Sequence, residues 1–265
     1  VMRRIDVGIL RAAEIKFDLI GGFCSDTPFS LKENVVSAVD GRLLFNGCRY
    51  DSLCFVPEDD GSRFLLYDVV IGVNFHWQRK ENQLFTGELH FIVEDGEVRA
   101  VNRLPVEDYL VSVISSEMSA TSSLELLKAH TIISRSWLYA QLQRSGKVQQ
   151  GVLGWENENE LIRWYAREDH TLFDFCADDH CQRYQGVTRA ANPNVERAVR
   201  ETTDVVLMYG DEVCDARFSK CCGGVTERFS ACWENEDYDY LKALRDCEDD
   251  EPLPDLTDEE TAREW

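Results

Sequence analysis

The stretch Val101–Arg144, VNRLPVEDYLVSVISSEMSATSSLELLKAHTIISRSWLYAQLQR, decides how the chain is read. Pro105 suits the opening turn of a helix, where its missing N–H would be unpaired anyway. Val106, Tyr109, Leu110, Val113 and Ile114 recur at helical spacing and predict a short helix over 105–114 with one buried face. Ser115-Ser116-Glu117-Met118-Ser119 breaks that spacing and predicts a polar elbow carrying one carboxylate. Ser122 with Glu125 three residues later has the form of a capping box, which predicts a second helix. Leu126, Ala129, Ile133, Trp137 and Ala140 make one stripe of that helix, and Leu124, Leu127, Ile132 and Leu138 broaden it. A helix so apolar belongs at the centre of a domain.

Outward from this pair the chain is rich in short strands. Residues 5–10 and 14–20 read as strands, and Val35–Val39, Leu43–Phe45, Leu53–Val56, Phe64–Val69 and Gly72–Trp77 follow between turns. Asp40-Gly41, Asn46-Gly47 and Asp59-Asp60-Gly61 are the punctuation. Leu84–Glu94 and Val98–Val101 form a hairpin turning at Glu94-Asp95-Gly96 and feeding the first helix. Further on, 149–160 reads as a loop, 161–166 as a short strand, and 190–202 as a helix interrupted at Asn192-Pro193. The last residues, TDEETAREW, are helix-like. The fold class this predicts is α+β: strands around two central helices, with 1–34 and 84–265 as the core and 35–83 as an inserted all-β subdomain.

Composition narrows the function. With 265 residues the chain has ample core for one large domain or two small ones. A net charge of −21 argues against a nucleic-acid partner, which calls for a basic surface, and equally against anionic lipid. No apolar run approaches the roughly 18 residues of a membrane span. The start, VMRRIDVGILRAAEIKF, is basic but has no sustained apolar segment, so no secretory signal is expected there. Ten cysteines, including the adjacent pair Cys221-Cys222, fit poorly in a disulfide framework and suggest reduced thiols with one metal site. His170, Cys176, His180 and Cys181 supply that site: thiolate and imidazole suit Zn²⁺, and short spacings let one loop furnish several ligands. Neighbouring residues compete for one ion, so His170 and Cys176 rank ahead of His180 and Cys181.

The pieces LPVEDYL, SSEM and LKAHTIISRSWL resemble the signature of the stage II sporulation protein D and LytB (SpoIID/LytB) family, LPxEDYL followed by a PSEM-like elbow and LKAQAxAARTYAL. Ser115 stands where the family has proline. The resemblance implies a peptidoglycan lytic transglycosylase whose acid/base is the elbow carboxylate, here Glu117, with Ser116 beside it. Such an enzyme needs one carboxylate: it protonates the glycosidic oxygen and then accepts a proton from the sugar's own 6-hydroxyl. Some family members carry zinc near the active site with a similar His/Cys pattern. The run Cys181–Gly186 resembles the family's QxYxG segment and Cys221–Glu227 its SxGGxTE segment. Gln182, Tyr184, Ser219, Gly223, Gly224, Thr226 and Glu227 are carried over as groove residues on that basis.

Arg135 lies in a mostly apolar helix, where an unpaired guanidinium is costly, so it is expected to meet Glu117 or Glu227. The ARTYAL resemblance gives it a role in the site. Trp77 and His76 would suit a sugar-stacking surface, although aromatic residues ending a strand are commonly core. Two other functions stay open. One is a non-catalytic member that binds glycan strands or enhances an amidase partner. The other is an interaction module that zinc merely stabilises. The family's substrate points to the cell envelope, and the absence of a signal segment leaves the location open.

Overall fold

The computed structural model describes residues 3–73, 75–118, 121–144, 154–159, 161–163, 170–188, 192–219, 221–246, 254–255 and 257–264. It divides into two compact units, residues 1–146 with 168–216, and residues 147–167 with 217–265.

The first unit opens with eleven strands. They are β1 Arg4–Ala12, β2 Glu14–Ile20, β3 Phe23–Cys24, β4 Asn34–Val39, β5 Arg42–Phe45, β6 Cys48–Tyr50, β7 Leu53–Pro57, β8 Arg63–Ile71, β9 Arg79–Phe85, β10 Glu88–Glu94 and β11 Glu97–Pro105. The helices α1 Val106–Glu117 and α2 Leu124–Arg144 follow. After β12 Gly154–Glu156 and β13 Leu161–Arg163, which belong to the second unit, come β14 Phe175–Cys176, α3 Pro193–Glu201 and the hairpin β15 Met208–Tyr209 with β16 Glu212–Val213.

Two six-stranded sheets form, in the orders β14-β1-β11-β10-β7-β3 and β6-β5-β4-β2-β8-β9. The α+β class is therefore correct. Residues 35–83, expected as an inserted subdomain, divide instead between both sheets: β7 joins the first, and β4, β5, β6, β8 and β9 join β2 in the second. The sheets share one core. Phe17 and Phe45 of one meet Phe55 and Phe91 of the other, with Phe17 5.2 Å from Phe55 and 4.9 Å from Phe91 between ring centroids. Rings at such spacing bury large apolar area and add edge and offset contacts beyond it.

Hairpin chemistry is where it was expected. Asp40-Gly41, Asn46-Gly47 and Asp95-Gly96 all have positive φ, as tight turns between right-twisted strands require. The helices differ in detail. Pro105 is the last residue of β11 and the cap of α1, which runs unbroken through Ser115 and Ser116 to Glu117. The Ser115 hydroxyl donates to the Val111 carbonyl at 2.8 Å, so the first of the two serines that looked like helix breakers is satisfied within the helix. At the start of α2 the capping residue is Ser123, whose Oγ accepts from the Leu126 amide at 3.3 Å, one position after the Ser122–Glu125 box expected.

The buried face of α2 also differs. Leu126 and Ala129 are exposed, and the face turned inward carries His130, Thr131, Ser134, Arg135, Ser136 and Gln141 beside Leu127, Trp137 and Leu138. Polar side chains are tolerated there because many are hydrogen-bonded: Thr131 to the Leu127 carbonyl at 2.7 Å, and Gln141 to Asp215 at 3.0 Å. The predicted interruption at Asn192-Pro193 is the start of α3, with Pro193 in the first turn and the Asn192 side chain accepting from the Asn194 amide at 2.8 Å.

The second unit holds the β12–β13 hairpin, a short helix α4 Phe229–Cys232, a bridge between Val225 and Arg245, and α5 Glu259–Glu264. Of the loop expected over 149–160, residues 149–153 and 160 lie outside the described residues, as do residues 164–166 of the expected strand. Among the described residues no helix is long and apolar enough to cross a membrane.

Candidate active site

Glu117 is the last residue of α1 and is half-buried. Its Oε1 accepts the backbone N–H of Arg183 at 3.0 Å. Among the described residues its Oε2 accepts no hydrogen bond, so one oxygen is anchored and the other is uncommitted. The adjacent Ser116 hydroxyl is buried with no partner among the described residues, which leaves unused hydrogen-bonding capacity beside the carboxylate.

The segment that delivers the Arg183 amide is built onto the sheet edge. β14 pairs in parallel with β1, Val7 opposite Phe175 and Gly8 opposite Cys176. The Asp174 side chain accepts from the Asp6 amide at 2.8 Å. Gly8 is required here, because a Cβ would lie 2.7 Å from the ring of Phe173. That ring in turn stacks on His170, with centroids 4.6 Å apart.

His170, Cys176, His180 and Cys181 then converge, their four ligand atoms all within 4.8 Å of one another. Cys181 Sγ is 3.5 Å from His170 Nε2 and 3.5 Å from His180 Nδ1, and Cys176 Sγ is 3.8 Å from His180 Nδ1. Zinc bonds of ordinary length place tetrahedral sulfur and nitrogen ligands about 3.5 Å apart, so this donor set fits the ion. All four ligand atoms converge, so the geometry does not rank His170 and Cys176 above their neighbours: adjacent Cys181 and the exposed His180 each direct a ligand atom at the group. Hydrogen bonding from Cys181, reinforced by His170 and His180, draws the Cys176 thiol far below its usual range despite burial.

Just beyond the cluster, Arg183 grips Asp179 through two contacts of 2.8 and 2.9 Å and lies 5.6 Å from the Trp77 ring centroid. Trp77 stacks on Phe75, which is exposed, at 5.4 Å, and His76 is exposed beside them. The same turn is tied to the cluster loop by the Val73 amide donating to Asp178 at 3.2 Å.

Other expected residues are used differently. Arg135 is fully buried and pairs with Glu107, through Nε to Oε1 at 3.0 Å and Nη2 to Oε2 at 2.5 Å, not with Glu117 or Glu227. It also donates to the Val205 carbonyl at 3.1 Å. The pair ties the first turn of α1 to α2 and to the segment after α3, which makes Arg135 a positioning residue. Gln182 and Tyr184, expected to line a groove, are core. Gln182 accepts from the Tyr109 hydroxyl at 3.2 Å and donates to the Ser134 carbonyl at 3.3 Å. Tyr184 donates to Asn102 at 2.6 Å and stacks on Tyr109 at 5.1 Å. Alternation along 182–185 turns their side chains inward while the Arg183 amide faces Glu117.

Ser219, Gly223, Gly224, Thr226 and Glu227 belong to the second unit. Gly223 and Gly224 both have positive φ, so the pair makes a turn that only glycine adopts without strain. The Thr226 hydroxyl donates to the Lys242 carbonyl at 3.0 Å, and the Glu227 side chain accepts from the Arg228 amide at 2.8 Å. Arg183 escaped the sequence reading altogether, since the group it supplies is a main-chain amide that every residue but proline has.

Comparison with known proteins converges on the same region. Residues 94–209 match the family model described as SpoIID, Stage II sporulation protein. Stage II sporulation protein D of Bacillus subtilis is 23% identical over 148 residues, which is 56% of this chain and 40% of that protein. An uncharacterized protein of Brachyspira hyodysenteriae is 29% identical over 143 residues, 54% of this chain and 33% of the relative. Stage II sporulation protein D of Bacillus amyloliquefaciens is 23% identical over 148 residues, 55% of this chain and 40% of the relative. The chain thus covers well under half the length of each of these relatives.

Proposed function

The chain belongs to the SpoIID family through residues 94–209, and on that premise we propose that it is a lytic transglycosylase acting on peptidoglycan glycan strands, with Glu117 as general acid and base. Protonated Glu117 donates to the glycosidic oxygen as the bond from C1 to that oxygen breaks. The carboxylate then takes the proton of the sugar's own 6-hydroxyl while O6 closes on C1, giving a 1,6-anhydro end. No water is consumed, so the second carboxylate of ordinary glycosidases is not required.

The observation that carries this reading is the single clamp on Glu117. The Arg183 amide fixes Oε1 and orients the side chain, and Oε2 is left uncommitted for proton transfer.

His170, Cys176, His180 and Cys181 would hold Zn²⁺, the ion their donor set fits. With four protein ligands such a site would be of the closed kind, and the ion would supply rigidity to the loop. That loop presents the Arg183 amide two residues after Cys181, and its stiffness bears directly on where Glu117 points.

The test is mass spectrometry of glycan strands treated with wild type and with Glu117→Gln. Anhydro ends from the first and none from the second are expected. Reducing ends from wild type would show hydrolysis and refute the mechanism. Retained glycan binding with no cleavage by wild type would favour the non-catalytic binder.

A further inference from the structure

A second cluster of unlike donors lies on the outer face of the first sheet. β7 and β10 are antiparallel neighbours in which Cys54 stands directly opposite His90. Glu88 lies two residues before His90, so both side chains leave the strand on the same face. Leu53, Phe55, Leu89 and Phe91 alternate with these three and are buried in the core, which fixes the outward direction of the trio. Cys54 Sγ is 3.6 Å from His90 Nε2, and His90 Nε2 is 2.8 Å from Glu88 Oε2. All three ligand atoms lie within 4.8 Å of one another.

Thiol and carboxylate both address the same ring nitrogen. A thiol–imidazole–carboxylate relay uses the two different nitrogens of the ring, so this is not a nucleophile with its base. One Nε2 cannot serve both neighbours well, whereas a cation at the point where the three atoms converge engages each of them. We propose that Cys54, Glu88 and His90 form a second zinc site, with three protein ligands and a fourth position open to solvent.

Geometry and charge agree with that ion. Tetrahedral zinc places sulfur and imidazole nitrogen about 3.5 Å apart, close to the spacing present, and places nitrogen and carboxylate oxygen near 3.4 Å, so the Glu88 contact opens by about half an ångström. One thiolate, one carboxylate and a neutral imidazole balance a dication, and the thiol proton passes to solvent on binding. Glu88 holds Arg4 with its other oxygen, Oε1, at 2.7 Å, which orients the carboxylate and leaves Oε2 for the metal. The neighbouring Arg103 is taken up by Asp6 through two contacts of 2.6 Å, so its charge is matched elsewhere. Ligands on adjacent strands of one sheet are already held in place, which lowers the ordering cost of binding.

Elemental analysis and cobalt spectroscopy of the full chain test this. After zinc loading and gel filtration the wild type is expected to hold about two equivalents, and Cys54→Ser, His90→Asn and Cys181→Ser about one each. With Co²⁺ in place of zinc, Cys54→Ser is expected to lower the thiolate charge-transfer absorbance by about a third, since one of three ligating sulfurs is lost. Circular dichroism of His90→Asn and Cys54→Ser confirms that metal loss is not unfolding; the outward placement of both residues predicts wild-type spectra. Wild-type stoichiometry retained in both variants, or a single wild-type equivalent that disappears only with Cys181→Ser, overturns the proposal.

Discussion

Replacing Glu107 by Gln isolates a fully buried guanidinium in the first unit. Arg135 has no solvent exposure, and its guanidinium is met by Glu107 on two sides, with only the Val205 carbonyl and the Thr202 hydroxyl besides among the described residues. Taking away the carboxylate leaves a fully buried cation facing neutral acceptors, a change that costs about 3–5 kcal/mol. Arg135→Met leaves instead a Glu107 side chain 16% exposed, which water can reach and which can take up a proton, so about 2–3 kcal/mol is expected. The double variant Glu107→Gln/Arg135→Met removes both halves of the pair. Its loss should fall short of the sum by about 2 kcal/mol, the coupling expected of charges in direct contact. Urea unfolding followed by tryptophan fluorescence is the assay. With a slope of about 3 kcal/mol per molar urea, Glu107→Gln should move the midpoint down by about 1–1.7 M. A shift below about 0.3 M, or strictly additive losses, would refute the idea that this pair holds α1 against α2.

Three further outcomes follow from the same geometry. Burial of His130 pushes its imidazole down to about 4, against about 6.5 when unfolded. The unfolded state therefore binds the proton first as pH falls, and about 3 kcal/mol of stability present above pH 6.5 is lost between there and pH 4; His130→Gln should flatten that part of the stability–pH curve, and an unchanged curve would refute the assignment. Tyr184→Phe strands the buried Asn102 oxygen it serves and should cost about 1–3 kcal/mol while leaving glycan affinity unchanged. A loss of affinity at wild-type stability would return Tyr184 to a groove. Chelation or Cys176→Ser should lower cleavage and raise the exchange rate of the Arg183 amide in a chain that keeps its sheets, and exchange that does not change would separate the cluster from Glu117.

What could be read from the sequence was what local chemistry dictates. Asp40-Gly41 and Asn46-Gly47 demand positive φ whatever surrounds them, so those hairpins were legible. Phe55 and Phe64 look alike as strand residues, yet one joins each sheet. Which sheet a strand joins depends on register with distant partners, and neighbours in sequence carry little of that. On α2, apolar spacing chose the face of Leu126 and Ala129, while the observed inner face is polar and held by Glu107, Asp215 and α2's own carbonyls. Periodicity does not count hydrogen bonds to residues decades away in the chain. Glu117 and the His/Cys cluster were legible as residue types; their junction through the Arg183 amide was not. The Cys54–His90 pairing likewise depends on the register of β7 against β10.

Because Glu117 is steadied by a peptide group, position 183 is nearly immune to side-chain drift. Lysine, serine or alanine there would forfeit the grip on Asp179 and still hand over the same proton. Proline alone strips it away. Descendants of this chain can therefore vary at 183 while the Glu117 carboxylate stays aimed, and a sequence profile of that column would understate how much its placement depends on it.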